Sequence, residues 1–313
     1  MLKIIKAESA RDLRHFYGSS RIFGYSKEES KYLKLNTSPA GNPIRICTHR
    51  AYLFAEDDKK LLARALTWTD KGYPGKGFFA LLDGNAALLL GEIEKIQTEW
   101  GSSVLEGPIS PDGSGFFHGA CKADAEYTNA FNLKPFDTEV LRSRGYVPCE
   151  RYRGFEAEPF TDEKLGRAAE RTLERYGYTV KSLAFGLFND PLDTCVNAFA
   201  KPPYVNETLR QAERIEPFLL RRLCYGAFDK HGVCRGYLLT LKGAKPRVCT
   251  LVTDSSAACV LLINAVNEGC RRLGIYKAEV SVISAGNVPS LMIAERAGAR
   301  FSAGYFCYRK ILT

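Results

Sequence analysis

No apolar run in these 313 residues approaches the roughly 20 needed to cross a bilayer as a helix. The first residues, MLKIIKAESARDLRHF, interleave charge with apolar side chains and build no signal-peptide core. A cytoplasmic protein without a membrane segment is expected. Histidine is scarce: His15, His49, His118 and His231 stand alone, with no H-E-x-x-H or comparable ligand spacing, so no metal site is expected. The 10 cysteines include no C-x-x-C pair, and Cys249, Cys259, Cys270 and Cys307 lie inside apolar stretches. They read as reduced, buried small hydrophobes rather than as a disulfide framework. Also missing is any basic stretch interleaved with stacking aromatics, the usual footprint of RNA binding.

What the chain does have is a repeat. Residues 78–110 run FFALLD, GNAALLLGEIEKIQTEWG, SSVLEGPIS, and residues 249–284 run CTLVTD, SSAACVLLINAVNEGCRRLG, IYKAEVSVIS. Each is an apolar strand ending in Asp, an amphipathic helix closed by Gly, and a second strand. The Asp-x-x-Ala-Ala junctions (Asp83, Ala86, Ala87 and Asp254, Ala257, Ala258) are offset by 171 (254 minus 83), and the closing Gly101 and Gly274 by 173. A period this long means two copies of a domain and not a solenoid. The length agrees, because 313 residues exceed the size at which one core usually keeps growing.

Helical spacing supports the repeat. Leu89, Ile93, Ile96 and Trp100 share a stripe away from Glu92, Lys95 and Glu99; Leu262, Val266, Cys270 and Leu273 do the same away from Asn264, Asn267, Glu268 and Arg271. A strand, a helix of this length and a strand predict a right-handed crossover between parallel strands, hence a mixed α/β sheet. In the second half, 225–228, the turn Asp229-Lys230-His231-Gly232 and 233–240 predict a hairpin. Helices are predicted over 190–200, 206–222 and 287–298, and one or two strands over 300–312.

The ending Asn287-Val288-Pro289-Ser290, then Ala294-Glu295-Arg296-Ala297-Gly298-Ala299, resembles the N-x-x-[AS]-x-x-x-[YA]-E-x-x-G-[FA] helix of the GNAT superfamily of acyl-CoA N-acyltransferases. Residues 51–152 resemble the degenerate first half of a tandem GNAT protein, with a Gly/aromatic insertion, GSGFFHGAC, about twenty residues long before LRSRGYVP. The resemblance implies two GNAT-like domains: a degenerate one over 1–157 and one over 158–313 holding the cofactor. It implies transfer of an acetyl or other acyl group from CoA to the amine of a small molecule. The alternatives are an aminoacyl-tRNA-dependent transferase of tandem GNAT type and a non-catalytic ligand-binding relative. A net charge of +9 and pI near 9.0 point to an acidic ligand or partner, or simply to solubility.

By the same resemblance, Leu251, Val252 and Thr253 would take the pantetheine arm, Ser255, Ser256, Ala257 and Ala258 the phosphates at a helix N-terminus, and Asn287 and Ser290 would lie beside the thiol arm. Asn287 and Ser290 have a second reading, as a helix cap. The phosphate loop departs from the family pattern [QR]-x-x-G-x-[GA]: Thr253-Asp254-Ser255-Ser256-Ala257-Ala258 matches only at the last Ala, and Leu82-Asp83-Gly84-Asn85-Ala86-Ala87 is equally eroded. Asp83 and Asp254 read as helix caps. A carboxylate about 5 Å from phosphate would otherwise cost about 3 kcal/mol at an effective dielectric near 20. The helix tyrosine that protonates the departing thiolate is replaced by Ala294, which leaves Tyr305, or Tyr308, on the last strand as the candidate acid. Glu279 is the candidate base, with a solvated or ion-paired strand carboxylate as its plain reading.

Overall fold

The computed structural model describes residues 1–38, 47–85, 87–109, 120–121, 138–159, 163–184, 195, 198–199, 215–243 and 245–312. Two compact units are present. The first comprises Met1–Arg153, Ser284–Gly286 and Ser302–Thr313; the second comprises Gly154–Ile283 and Asn287–Phe301.

In chain order the first unit begins with β1 (Lys3–Lys6), α1 (Ala10–Gly18) and α2 (Lys27–Thr37). Each helix starts on a capping box, Ser9 with Asp12 and Ser26 with Glu29, in which the serine side chain and the acid exchange bonds with each other's backbone N–H. The antiparallel strands β2 (Cys47–Asp57), β3 (Lys60–Asp70) and β4 (Lys76–Gly84) follow. Then come α3 (Ala87–Glu99), β5 (Val104–Gly107), β6 (Ala120–Cys121), α4 (Glu139–Ser143) and β7 (Val147–Ala157), which carries the chain out of this unit.

The second unit continues with α5 (Glu163–Tyr176), β8 (Thr179–Ser182), β9 (Tyr225–Phe228), β10 (Cys234–Leu241), β11 (Arg247–Thr253), α6 (Ser256–Arg272), β12 (Ala278–Ser284) and α7 (Val288–Arg296). The last strand, β13 (Arg300–Ile311), returns to the first unit from Ser302 onward.

Within the first unit the strand order is β1-β2-β3-β4-β5-β13 and within the second β12-β11-β10-β9-β8. In each list a single pair is parallel, β4 with β5 and β11 with β12, and a helix crosses between its strands. These are the two repeat units. The helix stripes face their sheets as the spacing predicts. Leu89, Leu90, Ile93 and Ile96 of α3 are buried against Ala51, Leu53, Phe79 and Leu105, while Leu262, Val266 and Cys270 of α6 pack on Tyr225, Ala227 and Leu238. Each buried Leu or Ile contributes about 2 kcal/mol, so truncating Ile93 to Ala would cost about 2–5 kcal/mol with its cavity. Leu273 leaves its stripe and is exposed, because it is already the C-cap of α6.

The closing glycines behave alike. Gly101 and Gly274 have φ of 80° and 66°. The next residue in each case, Ser102 or Ile275, donates back to Gln97 O or Cys270 O at 2.9 Å. That is the left-handed helix end which glycine adopts without strain.

Three expectations change. The boundary after residue 157 falls at Arg153, and Ser302–Thr313 belongs with the first unit, because β13 pairs antiparallel with β5 from Tyr308↔Gly107 to Ile311↔Val104. Of the range 206–222 expected as a helix, the described part contains two 3₁₀ turns, Glu216–Phe218 and Arg221–Leu223, with Pro217 in the first; most of that range, and of the helix expected over 190–200, lies outside the described residues. Ala86 and His118 lie outside them as well. The hairpin stands as β9 and β10, and 300–312 forms one strand.

Candidate functional site

In the second unit β11 and β12 are in register only at Arg247↔Glu279 and Val248↔Val280. Beyond that point β11 keeps its antiparallel partner β10, through Thr250↔Leu239, Leu251↔Leu238, Val252↔Tyr237 and Thr253↔Gly236. Among the described residues no register continues on the β12 side. The divergence begins at a β-bulge: Val248 opposes Thr240 and Thr250 opposes Leu239, so Cys249 is the extra residue. A strand paired along one edge and bulged where its other neighbour leaves offers main-chain groups to an extended ligand. Cys249, Thr250, Leu251, Val252 and Thr253 form that edge, with the Leu251 side chain packed toward α6.

The edge leads to the first turn of α6. Ser255 is the N-cap, extended at φ −147° and ψ 150°, and its hydroxyl accepts from Ala258 N–H at 3.2 Å. Ser256 is exposed, Ser255 and Ala257 are half-buried and Ala258 is buried. Contrary to the sequence reading, Asp254 therefore does not cap the helix. Its carboxylate instead takes Arg235 Nη1 at 3.0 Å, and its N–H donates to Arg235 O. Arg235 is held from its other side by Asp229, with Nε at 3.0 Å and Nη2 at 2.8 Å from the same Oδ2. Backbone N–H donation from Val233, foremost, together with Arg235 and His231 holds the Asp229 carboxyl below the usual range, against a smaller opposing effect of burial.

The first unit contains the same pair in another state. Arg64 and Asp83 carry the same 171-residue offset to Arg235 and Asp254, and they too are an ion pair, Nε to Oδ2 at 2.7 Å. Here both side chains are fully buried. Tyr25 donates to Asp83 Oδ1 at 2.6 Å, while Arg64 Nη1 donates to Phe16 O and Ser20 Oγ at 2.8 Å. The guanidinium lies 5.3, 5.3 and 5.4 Å from the ring centres of Phe16, Phe23 and Tyr25. Asp83 is thus no helix cap either.

The turn after it is packed on one side, although Gly84 and Asn85 are exposed. A Cβ on Gly84 would stand 2.2 Å from Leu62 O and 2.7 Å from the Phe23 ring. The strand pair also stays bridged farther along: after Phe78↔Glu106, Ile109 N–H donates to Phe79 O at 2.9 Å.

Glu279 is buried in the second unit, at the base of the divergence and side by side with the equally buried Arg247 on the sheet face they share. Its N–H donates to Pro246 O at 2.8 Å. The repeat offsets of 171 and 173 make Lys76 and Glu106 the first-unit counterparts of this pair. They form an ion pair at 3.2 Å, with Arg309 also on Glu106 at 2.5 Å.

Tyr305 and Tyr308 both belong to the first unit, where Tyr305 is in register with Cys121 and Tyr308 with Gly107. The structure does not bring either into the same unit as Glu279. Asn287 caps α7, its Oδ1 accepting from Ser290 N–H at 3.2 Å. Ala294 is buried with Phe155, Leu291 and Ala299.

Sequence reasoning missed three residues here. Arg235 had a signal, an arginine at the repeat offset. Cys249, the bulge, and Tyr237, buried opposite Val252 with its hydroxyl pushed up to about 12 by burial, had none. Among the described residues no group of three or more His, Cys, Asp or Glu could hold a metal ion.

No family model matches the chain, and no curated protein sequence does. Solved structures do match along its whole length. A tandem GNAT protein from the clavulanic acid biosynthesis pathway aligns over 100% of this chain and 99% of its own at a TM-score of 0.64 and 10% identity. A GCN5-related N-acetyltransferase from Sphaerobacter thermophilus aligns over 99% and 96% at 0.54 and 12%. The glucosamine N-acetyltransferase region of a fungal multi-domain β-N-acetylglucosaminidase covers 99% of this chain, and 38% of that chain is matched, at 0.59 and 13%. The chain has the tandem GNAT fold.

Proposed function

We propose that this protein is an N-acyltransferase that takes an acetyl or other acyl group from CoA and passes it to the amine of a small molecule, with the donor held in the second unit. The observation that carries this reading is the contrast between the two copies of one junction. In the second unit β11 parts from β12 at the Cys249 bulge and runs to a serine-rich first helical turn, with Arg235 neutralising the nearby Asp254. In the first unit Phe23 packs against one side of the corresponding turn, and the ion pair is enclosed by rings.

An extended pantetheine arm would lie along Thr250–Thr253, and its phosphates would meet the N–H groups and hydroxyls of Ser255 and Ser256. Ser255 already spends its acceptor on Ala258, which leaves its O–H as a donor. In this reading Glu279 relays the proton released when the amine attacks the thioester carbonyl. Asn287 and Ser290, joined in the α7 cap, border the arm.

Calorimetric titration with acetyl-CoA tests the assignment, with one site per chain expected. At 100 times the dissociation constant the ligand should stabilise the protein by about 2.7 kcal/mol, visible as a rise in unfolding temperature. Ser256→Glu should abolish that rise by putting a carboxylate against the phosphates, and Asn85→Glu, at the corresponding turn of the first unit, should leave it intact. Glu279→Gln should retain binding and slow transfer by about 10². Two sites per chain would put a donor in each unit, and a response to Asn85→Glu alone would move it to the first. Transfer from charged tRNA with none from any acyl-CoA would sink the reading altogether.

A further inference from the structure

The second unit holds two buried thiols on one face beside Phe228 that acyl transfer does not use. Cys195 is fully buried and Cys234, at the start of β10, is 6% exposed. A Cβ on Gly226 of β9 would meet the Cys195 sulfur at 2.9 Å and the Phe228 ring at 2.8 Å, so Cys195 sits over β9 beside Phe228. Cys234 is the cross-strand partner of Phe228 and shares that face. The two thiols thus lie beside the same Phe228 on one face, and the Cys234 thiol also donates to Gly236 O at 3.5 Å. The neighbouring Cys195 thiol, foremost, holds the Cys234 thiol below its ordinary range, against opposing burial. Burial instead pushes Cys224 up to about 12 and Cys249 and Cys270 up to about 11. Cys249 donates to Leu239 O at 3.4 Å, and Cys224 to Thr240 O at 3.7 Å. Attack on an oxidant needs a thiolate, and a second thiol in contact resolves the product.

We infer that Cys195 and Cys234 are a redox pair, joined as a disulfide when the protein meets a low-molecular-weight disulfide. The Cys234 thiolate attacks one sulfur of the oxidant, forming a mixed disulfide and expelling one thiolate. Cys195 then gives up its proton and attacks the Cys234 sulfur, expelling the second. Two electrons pass from the pair to the oxidant, which leaves as two thiols. The bond ties the chain at Cys195 to the start of β10. Phe199, four residues on, already packs on Tyr237 of β10 with ring centres 5.8 Å apart. Acyl transfer is not needed for the inference.

Mass spectrometry of the full-length protein tests it. The protein is incubated with glutathione disulfide, its remaining thiols are blocked with iodoacetamide, and it is digested without reduction. The expected product is one peptide pair linked through Cys195 and Cys234, two hydrogens lighter than the reduced peptides and absent from Cys195→Ala and Cys234→Ala. Cys270→Ala should still form it. The oxidised protein should unfold roughly 10 °C higher, since the bond closes a long loop, and dithiothreitol should reverse the rise. Both cysteines alkylated after oxidation would overturn the inference, as would either linked mainly to another cysteine. So would the expected link with no rise in the unfolding midpoint, because the bond would then not fit the native fold.

Discussion

Arg64 and Asp83 are sealed in the first unit, so removing one partner leaves a charge in the core, whereas Arg235 and Asp254 stand partly in water. Arg64→Met should therefore cost about 3–5 kcal/mol in urea unfolding, and the double change Arg64→Met with Asp83→Leu should recover much of it. Arg235→Met should perturb stability far less, since solvent screens the pair it breaks. Equal losses from the two arginine variants would show that burial does not distinguish the copies. The same residues mark where a single sequence falls silent. An aspartate before a helix fits a cap, and nothing local argues otherwise. The partner that overrides the cap lies 19 residues upstream on a neighbouring strand in both copies, and only pairing the strands reveals it. Ser255, the actual cap of α6, was visible in sequence only as a phosphate ligand.

Periodicity made the elements themselves legible. The helix stripes of α3 and α6, the glycine ends at Gly101 and Gly274 and the β9–β10 hairpin all follow from spacing and turn chemistry. The divergence of β11 from β12 does not, because a bulge at Cys249 is a matter of register between strands. Nor do the ties between distant elements. Glu94 of α3 accepts from Arg144, just past α4, at 2.9 Å and lies 2.9 Å from Lys310 of β13. Burial alone would raise the Glu94 pKa, but hydrogen bonds from Arg144 and Lys310 prevail and hold it below the usual glutamate value. A carboxyl lowered on folding contributes stability above its unfolded pKa of about 4.3 and loses it as pH falls through the lower folded value. Glu94→Gln should accordingly reduce stability at pH 7 and make it less pH-dependent between about 4.5 and 3. A variant that keeps the wild-type slope in that window would remove Glu94 from the acid response.

At the scale of the whole molecule, composition and the 171-residue repeat were enough to count two domains, but not to say which residues complete each. The sequence places 302–313 with the half it follows, because chain order is the only guide available before strands are paired. Hydrogen bonding puts it elsewhere: β13 adds to β5 through Tyr308↔Gly107, Arg309↔Glu106, Lys310↔Leu105 and Ile311↔Val104, and Tyr308 is part of the core that Phe79, Leu105 and Tyr146 share. Without that strand, residues 1–157 would keep β5 as an open edge and expose the apolar surface that Tyr308 covers. They would also leave Glu106 without Arg309. A fragment ending at residue 157 should therefore unfold without cooperativity, or aggregate. The same fragment joined through a flexible Gly/Ser linker to 302–313 should regain a single sharp transition and slow amide exchange across 104–107. Cooperative unfolding of 1–157 alone, with β5 amides already protected, would mean that the first unit is complete without the end of the chain and that β13 only decorates it.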